Sequence, residues 1–395
     1  MKRTNFVGGD VLDAPLLLSH TVAEMLILHK EKTMSKEVDI SKIDVNFATV
    51  SADRDDVKFY DIKNDPFEIY GLYNPKTEPV FKRLPDEVGL NTNSGVAGLY
   101  KNTAGGRVRF STDSDYIIVR AFMRELTEFS HMTRLGVRGF DLYIDDPESG
   151  KSAFYGCYRP PKDIEKGFEE IITFKTKELR YITINFPLYN SLDGLHIGLQ
   201  ESAALGEGAK YANELPVVFY GSSITQGACA SRPGNCYQNM ISRRLNMDYI
   251  NLGFAGSGRA EDIIVDYMAG LDMKIFVSDY DYNAPTPEYL AATHYKMYEK
   301  IRAKHPEIPY VMITRPDFIK PTENGIKDSI KRRAIIEESY RRAKENGDEN
   351  VYFIDGESFF VGEYADCCTV DYCHPNDLGF SRMATVIGDL MEKIF

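Results

Sequence analysis

The sequence predicts two folded parts: an antiparallel β-sandwich of jelly-roll-like kind, then a three-layer α/β domain built on a parallel sheet. Three observations carry this expectation. From about residue 40 to 200 the chain runs in short extended segments, dense in aromatic and β-branched residues and broken by turn residues. From residue 216 onward, short apolar runs alternate with stretches of helical periodicity. A chain of 395 residues also exceeds what one hydrophobic core ordinarily serves.

Residues 1–33 have a basic start and a short apolar run, which Asp10, Asp13, His20 and Glu24 interrupt; no small-residue cleavage site follows. They read as a leader, helical or poorly ordered, ahead of a sandwich over 34–205. Within the sandwich, RVRFSTDSDYIIVRAFM, GFDLYIDD, FEEIITF and RYITINFPLYN are strand candidates. Arg107-Val108-Arg109-Phe110 alternates polar and apolar, the pattern of a half-buried antiparallel strand. The polar, glycine-bearing stretch at 200–216 suits a connection, and the α/β domain covers 206–395. Its strands are expected at PVVFYG, DYINLGF, KIFVSDY, YVMITR and VYFID. Helices are expected near 235–246, from about 260, over 287–304, over 327–346 and from Asp377 to the end. Asn376 is a good cap for that last helix, following Pro375.

Composition narrows the function classes. Hydrophobic residues at 43% and charged residues at 27% are ordinary for a soluble globular chain, and a net charge of −12 disfavours nucleic acid and anionic membrane surfaces. The run Lys331-Arg332-Arg333 reads as a solvated helix face. No apolar stretch is long enough to span a bilayer. The six cysteines lack paired CxxC spacing. Cys367, Cys368 and Cys373 crowd His374, but adjacent cysteines chelate one tetrahedral ion poorly. Reduced thiols in a cytoplasmic protein, with no metal and no cofactor, are therefore expected; a homo-oligomer is left open.

In an open parallel sheet, ligands bind beyond the carboxyl ends of the strands. There the first strand leads into YGSSITQG, which puts Ser223 on a strand-to-helix turn, although a serine there also serves as a plain helix cap. The second leads into NLGFAGSGRAE, whose Gly256 could turn its N–H to a substrate oxygen or be an ordinary turn residue. The third leads into Asn283, a neutral donor for a developing oxyanion, with a bare Asn-Ala-Pro turn as the alternative. Asp371-Tyr372-Cys373-His374 is more specific: a carboxylate three residues before a histidine can fold back on Nδ1 and free Nε2 for a serine proton.

These blocks resemble the SGNH (GDSL) hydrolase superfamily, with Ser223, Gly256, Asn283 and His374 as its namesake residues and Asp371 completing a triad. The serine block reads GSS rather than GDS. Upstream, HMTRLGVRGFDLYID is similar to the GxDLY domain that precedes one SGNH subgroup, through Gly139, Asp141, Leu142 and Tyr143. The resemblance implies ester hydrolysis through an acyl-serine intermediate. His374 would serve as base, and the N–H groups of Ser223 and Gly256 with the Asn283 side chain would form the oxyanion hole. It also implies a carbohydrate O-acetyl substrate. Gln226, Arg232, Asn235, Arg259 and Arg315 lie on loops near Ser223 and would make a polar mouth; Gln226, Arg259, Tyr282 and Arg315 are the substrate-binding candidates. A lipase or thioesterase, and a non-catalytic glycan-binding protein, are the competing readings.

Overall fold

The structure, a computed structural model, describes residues 52–316 and 323–395. The leader expected over 1–33 lies outside the described residues. Among the described residues, ten strands build two antiparallel sheets: β1 (Val57–Asp61), β2 (Glu68–Tyr70), β3 (Arg107–Thr112), β4 (Tyr116–Phe122), β5 (Phe140–Asp145), β6 (Ser152–Tyr158), β7 (Gly167–Thr173), β8 (Arg180–Asn185), β9 (Gly194–Gln200) and β10 (Leu205–Glu207). One sheet runs β1-β9-β4-β7; the other runs β10-β3-β8-β5-β6, with β2 also on β3. Alternate residues meet between the sheets: Val108, Phe110, Leu142, Ile182 and Ile184 face Ile117, Val119, Leu195 and Ile197.

The expectation of a half-exposed strand at 107–110 needs correction. Every residue of β3 is buried. The reason is that its polar face lies against the second part of the chain rather than water. The Arg107 guanidinium pairs with Asp248, donates to the Tyr249 carbonyl at 3.2 Å and takes a hydroxyl partner in Tyr211 at 2.7 Å. Short helices interrupt the sandwich at α1 (Asp86–Asn91), α2 (Ser94–Leu99) and α3 (Arg134–Arg138). Single turns of this kind leave no long amphipathic pattern to read.

The second part is a five-stranded parallel sheet of β11 (Asn213–Gly221), β12 (Met247–Gly253), β13 (Ile275–Asp279), β14 (Tyr310–Ile313) and β15 (Val351–Ile354). The strand order is β12-β11-β13-β14-β15. Its helices are α4 (Ser223–Gln226), α5 (Tyr237–Leu245), α6 (Asp262–Ala269), α7 (Pro287–Lys304), α8 (Glu323–Glu345) and α9 (Asp377–Ile394). Both faces are covered, so the strands are apolar on both sides. Val217 and Phe219 pack toward Tyr237, Ile241, Phe380 and Ile387, while Val218 and Tyr220 pack toward Ile264, Val265, Leu290 and Ile336. The chain leaves β11 for one neighbour and returns past it to the other, which opens a crevice at the carboxyl end of β11.

Among the described residues no helix is long and apolar enough to cross a membrane. The basic run on α8 is not a solvated face. Arg332 is buried and donates to the carbonyls of Asp281 and Ala284 at 2.8 and 3.0 Å, and Arg333 pairs with Asp355 and Glu357.

Candidate active site

Ser223 begins α4 directly after β11. The preceding Ser222 caps the helix, its hydroxyl accepting from the Ile224 N–H at 3.1 Å, so the cap role falls to Ser222 and leaves the Ser223 hydroxyl available. The turn is clamped by buried groups. Thr225 donates to the Asp279 carboxyl at 3.1 Å, and Gln238 and Asn251 each donate to the Thr225 carbonyl at 2.7 Å. Gly221 admits no side chain, since a Cβ there would lie 2.3 Å from the Asp279 carbonyl oxygen. Burial pushes the Asp279 carboxyl up to about 7 against the hydroxyls of Thr225 and Tyr237, which pull it down.

The histidine arrives by a different route. His374 sits on a loop just before α9, and its Nε2 lies 2.9 Å from the Ser223 hydroxyl oxygen. Its Nδ1 lies 2.8 Å from Asp371 Oδ2. The other oxygen of Asp371 accepts from the backbone N–H groups of His374 and Cys373 at 2.8 and 3.1 Å. Desolvation works against the Asp371 charge, but those amides and the imidazole outweigh it and hold the carboxyl below its ordinary range. An ionised Asp371 fixes the Nδ1–H tautomer and leaves Nε2 to accept the serine proton.

Gly256, on the loop after β12, is exposed with φ of +65°. A Cβ there would meet nothing within 4 Å, so glycine serves the backbone conformation rather than close packing. Asn283 follows β13, and its amide nitrogen donates to the Phe254 carbonyl at 2.7 Å. That bond fixes the amide and leaves its second N–H to offer. Serine, a polarised histidine and these neutral donors can together carry an acyl transfer.

Comparison with known proteins agrees with this geometry. Residues 214–392 match the GDSL-like lipase/acylhydrolase family, and residues 57–205 match the GxDLY domain described as the N-terminus of SGNH-hydrolase-type esterases. The chain belongs to the GDSL-like acylhydrolases. It is similar to a protein from Bacteroides ovatus described as a GDSL-like lipase, at 27% identity and a TM-score of 0.77, over 86% of this chain and 98% of that one. A salicylyl-acyltransferase from a tetracycline biosynthetic pathway shares the fold at 17% identity and a TM-score of 0.71, over 87% and 98% of the two chains. So does an acetyl xylan esterase from the rumen bacterium Butyrivibrio proteoclasticus, at 13% and 0.53, over 85% and 98%. No curated protein sequence matches the chain. The two family matches support an esterase.

In this GDSL-like esterase the GxDLY motif is the joint between the two parts. Gly139 ends α3 where a Cβ would lie 2.4 Å from Leu135 and 2.9 Å from the Tyr158 carbonyl oxygen. Along β5, Phe140 and Leu142 enter the sandwich core while Asp141 and Tyr143 face the hydrolase part. Asp141 is fully buried and accepts from Arg232 at 2.8 Å, the Gly234 N–H at 2.7 Å and Asn185 at 2.8 Å; Arg232 also reaches the Tyr143 hydroxyl. The loop so held, 230–235, then takes hold of α9: Ser231 N and Asn235 donate to Asp377 at 2.9 and 2.8 Å. Tyr189, from the sandwich side, donates to the Ser223 carbonyl at 3.1 Å. The sandwich therefore buttresses both halves of the triad.

This organisation changes the reading of the expected polar mouth. Arg232 and Asn235 belong to the joint. Arg315 is 5% exposed, its N–H on Asp281 at 3.0 Å and its guanidinium on Ser329 and near Asp328, so it is packed rather than aimed at Ser223. Tyr282 lies under that guanidinium and donates to the Pro316 carbonyl at 3.0 Å. Gln226 is buried and accepts from the Ala255 N–H at 3.1 Å, which steadies the Gly256 loop from below. Arg259 clasps the Gly256 carbonyl at 2.9 Å from the outside. Buried acids distant in sequence, Asp141 and Asp281, stand beside the Arg232 and Arg315 guanidinium groups, and nothing local announced them. Sequence reasoning also missed His131, whose ring centroid is 5.7 Å from that of His374, and Cys229, which shares a small cluster with both. A separate cavity of about 760 Å³ lies on the sandwich, bordered by Lys63, Phe122, Arg124, Lys166 and His196 and by no triad residue.

Proposed function

We propose that the chain hydrolyses short acyl esters, acetyl groups on carbohydrates in particular, through an acyl-serine intermediate. The observation that carries this is the continuous line from Asp371 through His374 to Ser223, with contacts of 2.8 and 2.9 Å. His374 Nε2 takes the serine proton as Oγ attacks the ester carbonyl. Gly256, Asn283 and the start of α4 receive the oxyanion, and His374 returns the proton to the leaving alcohol. Water then repeats the attack on the acyl-serine and releases the acid.

The substrate class is supported by carbohydrate-esterase relatives of the fold and by the surface beside the triad. Tyr372, within the Asp371–His374 loop, is 59% exposed and puts an aromatic side chain beside the triad, in a chain that has no tryptophan for sugar contacts. The test is acetate release from acetylated oligosaccharides, alongside p-nitrophenyl esters from acetate to octanoate. Acetate should be the preferred acyl group, and Tyr372→Ala should slow the oligosaccharide more than p-nitrophenyl acetate. Preference for octanoate, or equal loss on both acetates, would sink the carbohydrate reading and leave an esterase.

A further inference from the structure

We propose that His131, Cys229 and His374 form a zinc site that reversibly shuts off this esterase. The ligand atoms of the three residues all lie within 4.8 Å of one another. A tetrahedral zinc with Zn–N of about 2.0–2.1 Å and Zn–S of about 2.3 Å needs ligand-to-ligand edges of about 3.3–3.6 Å. Small side-chain rotations of an exposed His131 close that gap. Two imidazoles and a thiolate are donors that suit zinc and do not suit magnesium or calcium.

The histidine is already prepared for such a role. Asp371 holds Nδ1 at 2.8 Å, the carboxylate–histidine arrangement that orients metal-bound imidazoles and raises their basicity. Nε2 is then the ligand atom, and it is the same atom that meets the Ser223 hydroxyl at 2.9 Å. It cannot bind zinc and accept a serine proton at once.

Cys229 is a second pointer. It has φ of +68°, a left-handed conformation that is uncommon for a residue with a side chain. Its thiol sulfur lies 3.6 Å from the His131 carbonyl oxygen, which keeps the two ligands together. A strained, buried cysteine held against two histidines has no part in ester hydrolysis as described above, and a metal gives it one. On binding, zinc displaces the thiol proton to solvent and replaces the serine hydroxyl on Nε2; no oxidation is involved.

The shut-off rests on the reading of His374 as base, but the binding does not, so the two are measured separately on the full chain. Calorimetry with zinc chloride should give one ion per chain. Cys229→Ala and, independently, His131→Ala should each weaken it by about a hundredfold or more, as loss of a first ligand exceeds loss of a supporting contact. Cobalt(II) should show a thiolate-to-metal charge-transfer band that Cys229→Ala abolishes. Turnover of p-nitrophenyl acetate should fall with zinc, recover with a chelator, ignore magnesium and calcium, and become resistant in both variants. Zinc affinity unchanged in Cys229→Ala and in His131→Ala would overturn the site. Site-dependent binding with full turnover would overturn the shut-off. A metal-free protein that hydrolyses no ester would overturn the functional reading alone, with calorimetry still deciding the site.

Discussion

The turn that carries Ser223 and the loop that carries His374 reach one hydrogen bond by contrasting means. Around the serine, Ser222, Thr225 and Gln226 are fully buried, and their partners come from β12, β13, α5 and the sandwich. Around the histidine, Val370 and Tyr372 are mostly exposed, and the decisive contacts span two or three residues: Asp371 to the Cys373 and His374 amides and to Nδ1. The nucleophile is placed by the core of the protein. The base is placed by its own short loop, then tethered at Asp377 by the GxDLY joint. The position of the base can therefore be disturbed within its loop, whereas the position of the nucleophile is disturbed only through the core.

The sharpest test removes the chemistry from each side in turn. Ser223→Ala and His374→Ala should each lower kcat by on the order of a thousandfold or more, with unchanged thermal unfolding. Asp371→Ala should cost less activity than either, because the Asn376 and Asp377 contacts still place the loop. Should Asp371→Ala equal His374→Ala, the loop would depend on the carboxylate for its shape as well as its charge.

Breaking the joint should act on stability first. Arg232→Ala leaves the Asp141 carboxylate buried without its cation, and loss of one partner of such a pair costs on the order of 3 kcal/mol. Urea unfolding measures it. Because 230–235 also holds Asp377, the surviving folded enzyme should lose kcat while keeping its KM for p-nitrophenyl acetate. A stable, fully active Arg232→Ala would show that the sandwich is merely attached. On the serine side, Asn283→Ala should lower kcat by about a hundredfold with little change in KM, since that donor matters mainly once the oxyanion forms. A change confined to KM would make Asn283 a ground-state contact.

The same contrast explains what the sequence made legible. The Asp371–His374 pair could be read directly, because its geometry is set within one turn of chain. The strand-and-helix alternation placed Ser223, Gly256 and Asn283 at the strand ends, because parallel sheets put their loops there. The partners of Arg232 and Arg315 could not be read. A cation after a strand looks the same whether it meets substrate or lies near a buried Asp141 or Asp281, residues 91 and 34 positions away. The interrupting helices α1–α3 are too short to impose a period. His131 and Cys229 come from different parts of the fold, 98 positions apart, and only packing brings them to His374.

The smallest effect expected concerns the floor beneath the serine. Asp279 keeps its proton in the folded protein up to about 7, well above the unfolded carboxyl near 3.8, because burial penalises its charge. Between those values the unfolded chain binds fewer protons, so this group makes stability fall as pH rises. His294 does the opposite. Buried against Tyr280, its value is pushed down to about 3 from 6.5, so the unfolded chain binds more protons and stability rises over that window. Each slope is at most about 1.4 kcal/mol per pH unit, and from pH 4 to 6.5 they oppose one another. The urea midpoint of the wild type should therefore be nearly flat with respect to these two groups. Asp279→Asn keeps acceptors for Thr225 and Tyr237 and removes only the titration, so its stability should climb from pH 4 to 6.5 and its advantage over wild type should be greatest above pH 7. An Asp279→Asn profile parallel to wild type would mean that Asp279 is already ionised beneath the serine. The nucleophile turn would then rest on a buried charge, and the contrast with the exposed, charge-built histidine loop would disappear.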